Sequence, residues 1–83
     1  MEFDDDCDAL GLLCPLPVLR ARKRLGAMAA GTVLRLQSDD PAAVIDVPHF
    51  CAEAGHDLLA TAPEGTANHF FIRKTVSAGL APD

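Results

Sequence analysis

The chain has 83 residues, 49% of them apolar, and a formal net charge of −5. This length predicts one compact domain, because a second independent core would not fit. No apolar run approaches the roughly 20 residues that span a bilayer, and an acidic stretch replaces the basic start of a signal peptide, so we expect a cytoplasmic protein without membrane contact.

The first third of the chain predicts an acidic leader, a strand and a helix. Five of the twelve acidic residues lie within the first eight positions, and we expect residues 1–6 to form a disordered leader. Residues 7–10 are typical of a strand, and Gly11 permits a bend after it. From Pro15 onward, apolar residues recur at the spacing of an amphipathic helix. Their positions are Val18, Ala21, Leu25 and Met28.

The middle of the chain predicts a second strand and a second helix. Residues 32–37 alternate in polarity, with Leu34 and Leu36 toward one face. A loop with helix-start chemistry follows, and the next helix ends at Gly55. Because proline removes a backbone donor, we expect Pro48 to kink this helix or to restart it after residue 46.

The last third predicts a hairpin and a tail. Two apolar runs, residues 58–62 and 69–72, are separated by turn residues and should pair as antiparallel strands. One right-handed crossover per helix places both helices on one sheet face. We therefore predict an α/β (α+β) fold: a two-layer βαβαββ sandwich with a four-stranded mixed sheet. The domain would cover residues 7–74, followed by a flexible tail over residues 75–83.

Cys14 is the most informative residue, because it directly precedes Pro15, which can open a helix. This placement puts Cys14 at the helix N-cap, where unpaired N–H groups and the helix dipole favour a thiolate. The sequence thus marks Cys14 as a sulfur nucleophile on a surface bend. The alternative is a buried cysteine that packs as a small apolar residue.

The other thiols predict core positions. Cys7 falls in a strand and Cys51 on the apolar stripe of the second helix, and three reduced cysteines are expected because they cannot all pair. Exchange between Cys7 and Cys14 is conceivable, but the spacing gives it no support. His49 and His56 lie near Cys51, yet no Cys-x-x-Cys pair accompanies them, so we expect no metal site.

Charged residues suggest two further features of the site. Asp40 follows the second strand, and its loop can lie near the Cys14 loop; it would then handle a proton, orient a partner's sulfur, or simply cap the second helix. A basic cluster lies on the first helix as a solvated face or a docking surface for an acidic partner; its members are Arg20, Arg22, Lys23 and Arg24. Direct nucleic-acid binding is disfavoured, because the chain lacks a basic excess.

Several motifs together resemble the TusA family of sulfur carrier proteins. They are Asp8-Ala-Leu-Gly11-Leu-Leu-Cys14-Pro15-Leu-Pro17-Val18, Arg22-Lys23, Ser38-Asp-Asp-Pro41, Asp46-Val-Pro-His-Phe-Cys51, His56-Asp-Leu58 and Ile72-Arg-Lys74. The resemblance covers residues 7–74 and implies a βαβαββ sandwich with both helices on one side. Its structural motif residues are Gly11, Pro15, Pro17 and Pro41. Leu16 departs from the family, in which a polar or acidic residue often stands between the prolines.

The resemblance also implies a function. Cys14 would accept persulfide sulfur from a cysteine desulfurase or another donor and pass it to a downstream relay protein, as in tRNA 2-thiouridine synthesis. Asp40 would act in onward transfer, and Arg22 and Lys23 would contact partners. No cofactor is implied beyond a transient persulfide on Cys14, and we expect a monomer when the protein is free.

Three alternatives remain open. The same carrier chemistry could serve dissimilatory sulfur oxidation. The fold could instead be a regulatory module that docks to a signalling or membrane protein without sulfur transfer. A thiol redox sensor is the third alternative, and it requires a resolving thiol within reach of Cys14.

Overall fold

The computed structural model describes residues 2–75, and the predicted order of elements is confirmed. The elements are β1 (Asp5–Asp8), α1 (Leu16–Gly26), β2 (Val33–Ser38), α2 (Ala43–Ala54), β3 (Asp57–Glu64) and β4 (Ala67–Arg73). Apart from Thr75, the predicted tail lies outside the described residues.

The four strands form one mixed sheet in the order β1-β2-β4-β3. β1 runs parallel to β2, whereas β4 runs antiparallel to both β2 and β3. The helices contact each other, with α1 also against β1 and β2 and α2 against β3 and β4. This is the predicted two-layer sandwich with both helices on one sheet face.

The core lies between the helices and this sheet face. Leu34 and Leu36, which the alternating pattern placed on one side of β2, are fully buried, opposite Ile72 and Phe70 of β4. Leu25 of α1 packs in the same cluster. Burying each such side chain contributes about 1.5–3 kcal/mol, so the strand alternation alone fixes which face of the sheet the helices cover.

The start of the fold differs from the prediction. β1 begins at Asp5 rather than at residue 7, so the prediction of disorder over residues 1–6 is wrong for Asp5 and Asp6. The Asp6 carboxylate accepts two hydrogen bonds from Arg35, each of 2.9 Å, and Asp5 pairs with Arg24 at 3.0 Å. These cations neutralise the acidic residues, and the strand can therefore extend into the acidic stretch.

The second helix and the hairpin agree with the elements predicted from the sequence, with one exception. α2 runs through Pro48 as a single element, so it does not restart after residue 46. Pro48 has no N–H to donate to the carbonyl of Val44, four residues earlier, but the helix continues through this position. Gly55 ends the helix as predicted, with φ of +80°, and Gly65, with φ of +62°, lies in the tight turn between β3 and β4.

Candidate functional site

Cys14 lies exposed in the loop that joins β1 to α1. The predicted surface position is thus present, but the predicted N-cap is not. α1 begins at Leu16 with Pro15 as its N-cap, so Cys14 lies one residue earlier, and its peptide bond to Pro15 is cis.

The start of α1 offers few donors to the Cys14 sulfur. Pro15 and Pro17 have no N–H, and the N–H of Leu16 donates to the carbonyl of Leu13 at 2.9 Å. The expected stabilisation of a thiolate relied on free N–H groups at this point. Pro15 and Pro17, which mark the helix start in the sequence, remove two of these N–H groups, and the N–H of Leu16 between them already has a partner.

Asp40 ties the Cys14 loop to the start of α2. Its carboxylate oxygen Oδ2 accepts the N–H of Cys14 at 2.7 Å, and Oδ1 accepts the N–H of Ala42 at 3.1 Å. Asp40 is only 7% exposed. Beside it, Asp39 accepts the N–H of Gly11 at 3.0 Å, in a loop that Gly11 shapes with φ of +78°. The predicted closeness of the two loops is confirmed, and Asp40 contacts the backbone of Cys14 rather than its sulfur.

The carboxylate that contacts the sulfur is Asp46, which the sequence analysis did not select. The Cys14 thiol donates to Asp46 Oδ2, with 2.8 Å between sulfur and oxygen. This hydrogen bond, then partial loss of hydration and the negative charges of Asp46 and Asp40, raises the pKa of Cys14 above its ordinary value. The prediction that the site favours a thiolate is therefore wrong for the free protein.

Asp46 gave only a weak signal in the sequence. It is an acidic residue in the first turn of α2, where a carboxylate is ordinarily explained by the helix dipole. Its partner Cys14 lies 32 positions away. The one available clue was its place in the motif that begins at Asp46 and ends at Cys51.

An open groove of about 280 Å³ borders the thiol. Side chains from α1 and α2 line it together with Cys14: Pro15, Val18, Arg22, Asp46, His49, Phe50 and Glu53. Of the predicted partner-binding residues, Arg22 therefore lies beside the thiol. Arg20 and Lys23 line a different groove with Cys7, so the basic cluster is divided between two sides of α1.

Exposed apolar side chains flank the site. Leu13 directly precedes Cys14, Leu16 follows it by two positions, and Ile45 directly precedes Asp46; we call these three residues the apolar rim. Leu13 is 68% exposed and Ile45 is 75% exposed. Single exposed apolar side chains are common, but three that are so close in the chain to Cys14 and Asp46 favour a contact surface.

The other two cysteines are core residues, as predicted. Cys7 and Cys51 are each 2% exposed, and all three cysteines are free thiols. Burial raises the pKa of both buried thiols, that of Cys51 to about 11. Cys14 is thus the one cysteine whose sulfur a partner protein can reach.

Within residues 2–75, no three or more side chains of His, Cys, Asp or Glu converge as metal ligands. His49 instead pairs with Glu53 on the surface of α2, at 2.7 Å. No helix in this part of the chain has the length and apolar character needed to cross a bilayer.

The chain is similar to known proteins over most of its length. The family model described as Sulfurtransferase TusA matches residues 6–74. A sulfur carrier protein TusA from Allochromatium vinosum is 45% identical over 74 residues, which are 89% of this chain and 97% of the relative. The crystal structure of a SirA-like protein from Desulfitobacterium hafniense has a TM-score of 0.67 and 26% identity, over 87% of this chain and 99% of that one. The chain belongs to the TusA family of sulfurtransferases.

Proposed function

We propose that this protein carries sulfur as a persulfide on Cys14, in the cytoplasm and without a cofactor. The Cys14 sulfur attacks the outer sulfur of a donor cysteine persulfide, the donor S–S bond breaks, and the donor cysteine leaves as a thiolate. An acceptor cysteine then attacks the outer sulfur of Cys14-S-SH and releases Cys14. The observation that carries this proposal is that Cys14 alone among the three cysteines is exposed.

The donor is a cysteine desulfurase or another persulfide protein, and the acceptor is the next protein of a sulfur relay. The apolar rim and the groove beside Arg22 support docking by a partner with an apolar contact surface and acidic side chains. Arg20 and Lys23 form a second basic surface on another side of α1, and the free protein is a monomer. The relay ends in tRNA 2-thiouridine; sulfur oxidation is the alternative destination for the same chemistry.

Intact mass spectrometry tests the carrier function. After incubation with a cysteine desulfurase and cysteine, we expect the protein to gain the mass of one sulfur atom. Cys14→Ser should gain none, whereas Cys51→Ala should load like the wild type, because the Cys51 sulfur is inaccessible. Loading of Cys14→Ser, or no loading of the wild type from any persulfide donor, would contradict the proposal.

A second candidate function, a regulatory module that docks without sulfur transfer, is favoured by the apolar rim alone. In that function the Cys14 sulfur is dispensable, so Cys14→Ser would complement a deletion strain as well as the wild type does. A redox sensor receives less support from the structure, because both cysteines that could resolve an oxidised Cys14 are buried.

A further inference from the structure

Asp46 faces the proton that Cys14 must lose to react. The thiol donates to Asp46 Oδ2 at 2.8 Å, whereas both oxygens of Asp40 are occupied by the N–H groups of Cys14 and Ala42. The other charged or titratable groups around the groove are Arg22 of α1 and His49 and Glu53 of α2, of which the latter two pair with each other. Within residues 2–75, Asp46 is the group hydrogen-bonded to the sulfur.

A thiol in this position needs a base to react near neutral pH. The Cys14 thiol is the donor of this hydrogen bond and Asp46 is the acceptor, so the shared proton rests on sulfur. The Asp46 contact raises the pKa of Cys14 further and lowers its thiolate fraction. A nucleophile that is protonated at rest is activated most directly by a hydrogen-bonded acceptor.

We propose that Asp46 is the catalytic proton acceptor of Cys14 in persulfide loading, an inference that rests on the function proposed above. As the Cys14 sulfur bonds to the outer sulfur of the donor persulfide, its proton passes to Asp46 Oδ2. The donor S–S bond breaks and its electron pair stays on the donor cysteine, which leaves as a thiolate. That thiolate then receives the proton from Asp46, directly or through water.

This sequence of events needs no further reactant. The sulfur of Cys14 is oxidised and the sulfur of the donor cysteine is reduced by the same number of electrons. The proton that leaves Cys14 ends on the donor cysteine, and Asp46 returns to its carboxylate form. Asp40 is a positioning residue in this account, because it holds the backbone of Cys14 and not its sulfur.

The decisive experiment compares the pH dependence of loading in wild type and Asp46→Asn. The probe is glutathione persulfide, a small donor that needs no docking surface, and the readout is the rate of sulfur addition by quenched intact mass measurement. We expect the wild-type rate to stay nearly constant between about pH 6 and pH 8, because the carboxylate hydrogen-bonded to the sulfur accepts the thiol proton during the reaction. In Asp46→Asn the rate should fall about tenfold per pH unit below the pKa of Cys14, because only preformed thiolate reacts.

Two further variants separate proton transfer from charge and folding effects. Glu64→Gln removes one negative charge from the end of β3, where Glu64 acts on Arg35 and not on Cys14, and it should keep the wild-type profile. Asp46→Glu keeps a carboxylate and should restore a flat profile at least in part. Ultraviolet titration of the Cys14 thiolate should show a lower pKa in Asp46→Asn than in the wild type.

Each outcome distinguishes this inference from the carrier function. Parallel pH profiles in wild type and Asp46→Asn, or an unchanged thiolate titration, would overturn the role of Asp46 while leaving sulfur loading intact. Absence of loading in the wild type at every pH would overturn the carrier function itself. In that event the thiolate titration would still report whether Asp46 controls the proton of Cys14.

Discussion

Removal of the Asp40 carboxylate should destabilise the whole domain, because this one side chain joins two loops. Its oxygens accept separate backbone N–H groups, from Cys14 at 2.7 Å and from Ala42 at 3.1 Å, at a position only 7% exposed. A hydrogen bond to a charged group contributes about 1.5–3 kcal/mol. Water can partly hydrate the two N–H groups that lose their acceptor. We therefore expect Asp40→Ala to lower the free energy of unfolding by about 2–4 kcal/mol, out of a total of about 4–12 kcal/mol.

Thermal and urea denaturation followed by circular dichroism measure this loss. The midpoint temperature should fall by about 10–30 °C. Asp40→Asn should recover less than half of the loss, because its amide has a single acceptor oxygen and would turn a donor toward an N–H. The control is Asp39→Ala, which removes an exposed carboxylate with one hydrogen bond to Gly11 and should cost about 1 kcal/mol or less.

Equal losses in Asp39→Ala and Asp40→Ala would refute the assignment of Asp40 as the link between the loops. The proposed role of Asp40 in onward transfer needs a separate measurement, made below the midpoint temperature of the variant. Asp40→Ala should then still load sulfur on Cys14 and discharge it to an acceptor more slowly. An unchanged discharge rate would leave Asp40 with a structural role alone.

The hydrogen bonds between Arg35 and Asp6 make the stability of the protein depend on pH. Hydrogen bonds from Arg35 lower the pKa of Asp6, so the stabilisation is present above the unfolded pKa of about 3.9 and is lost as pH falls through the folded value. Asp6→Asn should thus be less stable than wild type in urea denaturation at about pH 7 and equally stable near pH 2; a gap that persists in acid would contradict this reasoning. For the apolar rim, Ile45→Gln should slow loading from a cysteine desulfurase but not from glutathione persulfide, whereas Leu59→Gln on β3 should slow neither. Equal slowing from both donors would show that Ile45 acts on Cys14 rather than on docking.

Local sequence patterns predicted most of the fold, because each helix or strand must place its own apolar residues on the face that is buried. The alternation of Leu34 and Leu36 follows from one covered sheet face, and the end of α2 follows from Gly55 in the left-handed conformation. The start of β1 could not be predicted in this way. Asp6 enters the strand because Arg35 pairs with it across the sheet, 29 positions away in the chain, and no local pattern contains that contact.

The candidate site was likewise predictable only in part from the sequence. Exposure of Cys14 and its closeness to the Asp40 loop were predictable, because β1 and β2 are parallel neighbours whose carboxyl ends meet at one edge of the sheet. The identity of the acidic residue that contacts the Cys14 sulfur was not predictable. It depends on the direction in which the first turn of α2 points Asp46, which only the packed structure determines.

The two carboxylates near Cys14 differ in function because their oxygens face different groups. Asp40 faces backbone N–H groups, so it fixes the position of the loop, whereas Asp46 faces the thiol, so it controls the proton. A thiolate is the form of cysteine that reacts with adventitious electrophiles. By raising the pKa of Cys14, Asp46 keeps the free carrier mainly in its less reactive form. Reaction with a persulfide then requires that the Asp46 oxygen accept the proton as the Cys14 sulfur attacks.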